Sequence, residues 1–451
     1  MKAPSPRTWS RALPLVVALG WAAPAAASVP DLFGYGARST ATAGALAAST
    51  EGHEAVYYSP ANLGFESQRS FALGYQHASL SLDINGDDHP ALDAPWLVIG
   101  FGIPVPLGPP LERRLAFGLG FVLPQTSILI ADTKRPGELT FPLVENRAQT
   151  VSVQLATAVR VTDWLSLGWG LIALSELEGG IDVAPNETGK LGSKARDQLI
   201  ASYANVASLA LRPTPASRLA VEWRESSAAE YTLPIDADLG DSFNIPVPLL
   251  DITGTAQFDP AHLAVSGSYD FADQVLVGAS FVYKWWSGFE NPIRYTSVPP
   301  GYPDQPDPDF DDVLVARVGA EGRLRFDNAD VTLRPRLGLG WEPSPAPEQK
   351  GLHNYLDNDR VVSGLGLGIT HGIFTLDLVA QHQLLLSRTQ QKPCDEAGRP
   401  LSLGPYPAGD GSGDPMQGYA WPSYPGPNPG CGTTTHSGST FLLGAELGVR
   451  F

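Results

Sequence analysis

Apolar side chains fill every second position at the carboxyl end of the chain: Phe441, Leu443, Ala445, Leu447, Val449 and Phe451. Glu446 and Arg450 fall between them. A strand sends successive side chains to opposite faces, so this segment has one greasy face and one polar face. Such a strand suits a wall with lipid outside and a polar lumen inside. The alternation recurs over 70–82, 95–103, 114–124, 147–160, 163–176, 200–212, 217–226, 261–270, 274–287, 313–326, 330–341, 359–370 and 373–386, with 438–451 as the last. These segments have about the length a tilted strand needs to cross a bilayer, and their even number is expected of a bacterial barrel. The pattern predicts an all-β, 14-stranded antiparallel transmembrane β-barrel over residues 70–451.

The gaps between segments give an independent check. Val161-Thr162, Pro213 to Ala216, Phe271 to Asp273, Asp327 to Ala329 and His371-Gly372 read as tight turns, and each sits between two long connections rich in Asp, Pro and Gly. Short periplasmic turns and long extracellular loops alternate in this way in outer-membrane barrels. Only Pro104 to Arg113 is longer than a turn requires. Aromatic residues should mark the two membrane interfaces. Trp164, Phe271, Phe326, Phe374 and Phe451 lie at turn ends, and Tyr283, Trp285, Trp286 and Trp341 at loop ends. Glu222, Arg224, Arg317, Glu321, Arg336, Asp377, Gln381, Gln383 and Glu446 take the opposite strand face, which makes them a lumen lining, because charge is costly against lipid.

The amino terminus adds a destination. Lys2, Arg7 and Arg11 precede an apolar run from Ala12 to Ala23, and Ala25 and Ala27 suit a cleavage site, so residues 1–27 read as a secretory signal peptide. No later stretch has the roughly 18 apolar residues a transmembrane helix needs. The formal charge of −17 without a basic cluster argues against nucleic acid as a partner. Cys394 and Cys431 share one Gly/Pro-rich loop and should form a disulfide in an oxidising compartment.

Residues 28–69 do not alternate. They are small and rich in Gly, Ala and Ser, and fourteen strands enclose more space than their own side chains fill. This segment is therefore expected to form a hatch inside the barrel, with short helices around Thr40 to Ser49 and Glu54 to Tyr58. The run Gly36-Ala37-Arg38-Ser39-Thr40-Ala41, followed by Ala55-Val56-Tyr57-Tyr58-Ser59-Pro60-Ala61-Asn62-Leu63, resembles the hatch of FadL-type outer-membrane transporters of long-chain fatty acids and aromatic hydrocarbons. Trp341 to Pro345 with Asn354 to Arg360 is similar to a late strand-loop-strand of that family. Two departures stand out: Ser59 precedes Pro60-Ala61 where the family usually has Asn, and Thr42 stands where it usually has Met.

The resemblance implies passive uptake of hydrophobic small molecules across the outer membrane of a Gram-negative bacterium. Ligand would be captured at extracellular loops, held near the hatch, and released sideways through an opening in the third strand. Ligand contacts are expected from Phe33, Tyr58, Pro60 and Asn62 in the hatch and from Phe243, Leu249 and Phe289 in the loops. Pro124 cannot donate to a ladder, which places the expected lateral opening at Leu123, Pro124 and Gln125. Further expected partners are outer-membrane lipid, lipopolysaccharide and, through Phe451, the barrel-assembly machinery, with the protein a monomer. The alternatives are a non-specific diffusion porin, which needs the hatch displaced, and an interaction or secretion-partner protein. No catalytic group, cofactor or metal is expected. His382 near Ser387 lacks a third orienting group, and His53-Glu54 lacks a second His at helical zinc spacing. The acidic run Asp304 to Asp312 contains prolines and no Gly, which fits a solvated loop better than a calcium loop.

Overall fold

The computed structural model describes residues 28–108, 114–125, 138–145, 151–185, 191–237, 250–290, 293–295, 307–351, 353–396, 398, 400–401 and 428–451. The signal segment expected over 1–27 lies outside the described residues. The wall strands are β1 Ser70–Ile84, β2 Ala94–Pro104, β3 Leu115–Pro124, β4 Ser152–Arg160, β5 Leu165–Pro185, β6 Leu191–Leu211 and β7 Ser217–Arg224. They continue as β8 His262–Phe271, β9 Val275–Lys284, β10 Val313–Gly322, β11 Val331–Glu342, β12 Arg360–His371, β13 Phe374–Lys392 and β14 Gly432–Arg450. Each pairs antiparallel with its chain neighbours, and β14 returns to β1 from Ser70↔Arg450 to Ile84↔His436. Closure leaves no sheet edge in the wall, as a bilayer demands.

The alternation decides which face each side chain takes. Leu73, Tyr75, Phe117, Leu155, Val265, Phe281, Leu339 and Leu443 are exposed on the outer surface. Gln76, Gln154, Glu222, Arg224, Glu321, Arg336, Gln381 and Glu446 are buried inside. Trp164, Phe271, Phe326, Phe374 and Phe451 are exposed at the turn ends, and Tyr283 and Trp341 at the loop ends. Trp286 corrects the aromatic expectation. β9 stops at Lys284, and a 3-10 turn over Trp286–Gly288 carries the indole inward, where it is buried.

Several of the long connections are themselves strands. β5 and β6 stay paired from Glu176↔Ile200 to Pro185↔Leu191, through most of the expected loop 177–199. The expected loop 227–260 contains strands Ser227–Ala237 and Leu250–Asp259, the first of which also runs parallel to the end of β5. Backbone hydrogen bonds sustain such pairs in water without any alternation of side chains.

The hatch consists of α1 Val29–Phe33, α2 Ala37–Ala41, a 3-10 turn Ala47–Ser49, α3 His53–Tyr58 and a 3-10 turn Pro60–Phe65. Gly34 and Gly36, at φ of 98° and 80°, turn the chain between α1 and α2, where an L side chain would be strained. Nearly the whole segment is buried within the barrel. Glycines on the inner wall let it seat flush. A Cβ on Gly338 would lie 2.1 Å from the Thr42 carbonyl carbon, and one on Gly168 would lie 2.2 Å from the Ala61 nitrogen. Gly364 and Gly366 face Ala41 in the same way, which is the close packing that the glycines of that strand suggest.

Candidate functional site: the lumen cavity between hatch and wall

Buried ion pairs hold the hatch in register with the wall. Arg38 of α2 meets Glu321 of β10 at 2.7 Å, and Arg336 of β11 bridges Glu321 at 2.8 Å to Asp377 of β13 at 2.5 Å. Asp31 of α1 meets Lys284 at 2.8 Å, and Lys284 also reaches Glu342 at 2.9 Å. Burial pushes the Asp31 carboxyl up, but the Lys284 ammonium beside it overrides that and holds it well below the usual carboxylate range. Gln381 donates to the carbonyls of Phe33 at 3.1 Å and Thr40 at 3.0 Å, and Gln383 donates to that of Leu32 at 2.7 Å. Wall side chains thereby satisfy the carbonyls that the short hatch helices leave over.

Between α1, α3 and the wall lies a small cavity. Its hatch side is formed by Leu32, Phe33, Tyr57 and Tyr58, and its wall side includes Ala264, Val282 and Val362. Three carboxylates (Asp31, Glu222, Glu342) and three strong cations (Arg224, Lys284, Arg317) stand around it. They neutralise one another: Arg224 pairs with Glu222 at 2.6 Å, Lys284 with Asp31 and Glu342, and Arg317 approaches Glu342 at 4.0 Å. The Arg224 guanidinium also lies 4.0 Å over the Tyr57 ring and donates to the Tyr57 carbonyl.

Above the cavity, Phe258, Trp286, Phe289 and Phe310 form an aromatic cluster. Phe289 and Phe310 stack at 4.5 Å, and Phe258 lies 5.4 Å from Trp286. Ala264 and Val282 belong both to this cluster and to the cavity wall, so the two are in contact.

The alkane uptake protein A of Marinobacter nauticus is 25% identical over 427 residues, spanning 85% of this chain and 91% of that protein. A FadL homologue of Pseudomonas aeruginosa superposes with a TM-score of 0.59 over 91% of this chain and 98% of its own, at 14% identity. The barrel has the fold of the FadL-type structures. The toluene transporter TodX of P. putida gives 0.52 over 93% of this chain and 99% of its own, also at 14% identity. No family model matches the chain.

In this barrel, the residues expected to bind ligand divide into groups. Phe33 and Tyr58 both line the cavity. Pro60 and Asn62 do not: Pro60 packs on Gly168 and Gly170 of β5, and Asn62 donates to the Ala47 carbonyl and to Thr50, each at 3.1 Å. Phe289 sits in the aromatic cluster, while Phe243 and Leu249 lie outside the described residues. His382 and Ser387 are exposed on the outer side of β13. The cavity residues that sequence reasoning passed over, Leu32, Tyr57, Val282 and Val362, carry no local signal, because their meeting depends on where the hatch docks.

The expected opening has a definite local form. β3 pairs with β2 to its end, Trp96↔Pro124, and the Gln125 N–H donates to the Pro95 carbonyl at 3.0 Å. On its other side the ladder to β4 stops at Val122↔Ser152. Among the described residues, pairing ends at Leu123 on one side only and β3 shows no bulge. Cys394 and Cys431 are joined as a disulfide with Cα atoms 5.8 Å apart. Of the acidic run, Asp304 to Gln305 and Pro306 lie outside the described residues. Asp312 is used structurally, accepting from the Ser287 N–H at 2.9 Å and from Tyr283 Oη at 3.2 Å.

Proposed function

We propose that the protein takes up neutral hydrophobic molecules passively across a Gram-negative outer membrane, and that the path runs from the aromatic cluster into the lumen cavity beside the hatch. The contact between the two through Ala264 and Val282 carries this reading. The balanced charge around the cavity favours an uncharged chain over an anion, since each cation there has a carboxylate within reach. Alkane uptake protein A, which matches over most of both chains, agrees in substrate class by its name. Release is assigned to the seam between β3 and β4 beside Leu123, Pro124 and Gln125, where the ladder ends and proline offers no N–H to extend it.

The test is uptake of radiolabelled hexadecane and hexadecanoate by a host lacking its own FadL-type proteins. Hexadecane should enter faster than in the empty host, and hexadecanoate should gain less. An assembled barrel that gives no gain with hexadecane would sink the proposal. A V122C/S152C pair joins the last two ladder partners of the seam, and oxidised protein should take up less than reduced; equal rates would reject release at that seam.

A further inference from the structure

At the periplasmic end of the hatch, three residues far apart in sequence converge: His53 and Glu54 of α3, and Glu446 of β14. One ligand-type atom from each lies within 4.8 Å of the others, and all three side chains are buried. We propose that these three residues bind a divalent transition-metal ion of the Zn²⁺ type, which pins the hatch to the strand that closes the barrel. This site is independent of the transport path and of the cavity described above.

Four observations support the assignment. His53 Nε2 lies 3.2 Å from Glu446 Oε1 but outside hydrogen-bond geometry, so a buried ring nitrogen faces that carboxylate as an ion-pair contact without a hydrogen bond. The carboxylates are themselves oriented by the hatch backbone and by Ser39. Ser39 N donates to Glu54 Oε1 at 2.9 Å, Ser39 Oγ donates to Oε2 at 2.7 Å, and Ala37 N donates to Glu446 Oε2 at 3.2 Å. Each carboxylate oxygen retains a lone pair, so these bonds act as the outer-shell supports that metal ligands commonly have. The cluster is also built into the wall. A Cβ on Gly100 would lie 2.0 Å from His53 Cβ, one on Gly36 2.4 Å from Glu54 Oε1, and one on Gly74 3.1 Å from Glu446 Oε2. Finally, a second small cavity is lined by all three residues, together with Arg38, Glu51, Asp377 and Arg450, and gives water room to complete a coordination sphere.

One imidazole and two carboxylates form a mixed nitrogen and oxygen donor set. It suits Zn²⁺ or Co²⁺ better than Ca²⁺, which takes six to eight oxygens. A common ion would draw the three donor atoms closer than the 4.8 Å that bounds their separations.

Full-length, detergent-extracted protein is stripped with chelator and titrated with Zn²⁺ and, separately, with Co²⁺. One ion per barrel should bind. The Co²⁺ form should show the visible absorption of a four- or five-coordinate site, and the thermal midpoint should rise with free metal. Glu54→Gln should weaken binding more than the 10–100-fold typical of losing an outer-shell partner, and Ser39→Ala should fall within that range. Glu51→Gln, in the same cavity but outside the donor set, should leave affinity unchanged. If the Glu54 variant does not assemble, the Co²⁺ spectrum of the native chain decides alone. Absence of stoichiometric binding, an octahedral all-oxygen spectrum, or binding that survives Glu54→Gln would overturn the proposal.

Discussion

If the hatch is held by shape as well as by charge, adding single methyl groups to the inner wall should eject it. Gly338 on β11 and Gly168 on β5 are the two positions to change, because β11 and β5 stand on nearly opposite sides of the barrel. A methyl group at Gly338 falls 2.1 Å from the Thr42 carbonyl carbon and 2.4 Å from its oxygen, and one at Gly168 falls 2.2 Å from Ala61 N and 2.5 Å from the Pro60 carbonyl carbon. Ordinary contact for such atoms is about 3.5 Å or more, so the hatch backbone has to retreat by over an ångström at each place. Overpacking of this kind costs about 1–3 kcal/mol per site. With both methyls present, retreat from one wall presses the hatch into the other, so the two penalties should at least add. Gly340 is the control. It lies two residues along β11, and its methyl would meet nothing nearer than 3.5 Å. In planar bilayers, G168A/G338A should open long-lived conducting states and melt at a lower temperature, while G340A should resemble the native protein. The argument fails if the double variant conducts no more than G340A and melts with it. Native protein that already conducts like a wide pore would instead favour the non-specific porin reading.

Arg336→Met removes the cation that Asp377 pairs with and leaves Glu321 with Arg38 alone. Breaking a buried pair from one side costs about 3–5 kcal/mol, to be read as a lower guanidinium unfolding midpoint. Burial pushes the Glu66 carboxyl up to about 7, although it accepts from the Gly52 N–H. The seated hatch therefore holds a proton that the freed segment has lost. The resulting stabilisation is full below the ordinary value of 4.5 and is lost as pH rises through 7. Hatch melting should accordingly fall between pH 4.5 and 7 in the native protein, and Glu66→Gln should flatten that slope; a parallel slope in the variant would assign it to other groups. Cys394 and Cys431 are separated by 37 residues, a loop whose closure is worth about 4 kcal/mol in the chain-entropy model. C394S/C431S should thus become sensitive to external protease between these positions while heat-modifiable gel mobility, which reports the barrel, stays unchanged.

The sequence by itself determined the barrel. Lipid contacts only one face of each strand, so crossing the bilayer imposes a period of two, and that period is visible in residues such as Phe441 to Phe451 without any tertiary information. It also set the small, non-alternating residues 28–69 apart from the strands of the wall, and the five tight turns came out close to where they stand. The alternation stops where the membrane stops. The strand extensions of β5 and β6 therefore read as loop, since in water backbone pairing needs no greasy face. Trp286 read as an interface residue because the 3-10 turn that rotates it inward leaves no mark in a two-residue period.

The site depended on the fold. Phe33 and Tyr58 were identifiable as hatch aromatics, but the hatch meets the wall through partners hundreds of residues away, such as Arg38 with Glu321 and His53 with Glu446. Their pairing is set by how the hatch docks against a curved wall of fixed strand register. Local sequence encodes which face a side chain takes along its own strand. Only closure of the cylinder decides which side chains then look at one another across its interior.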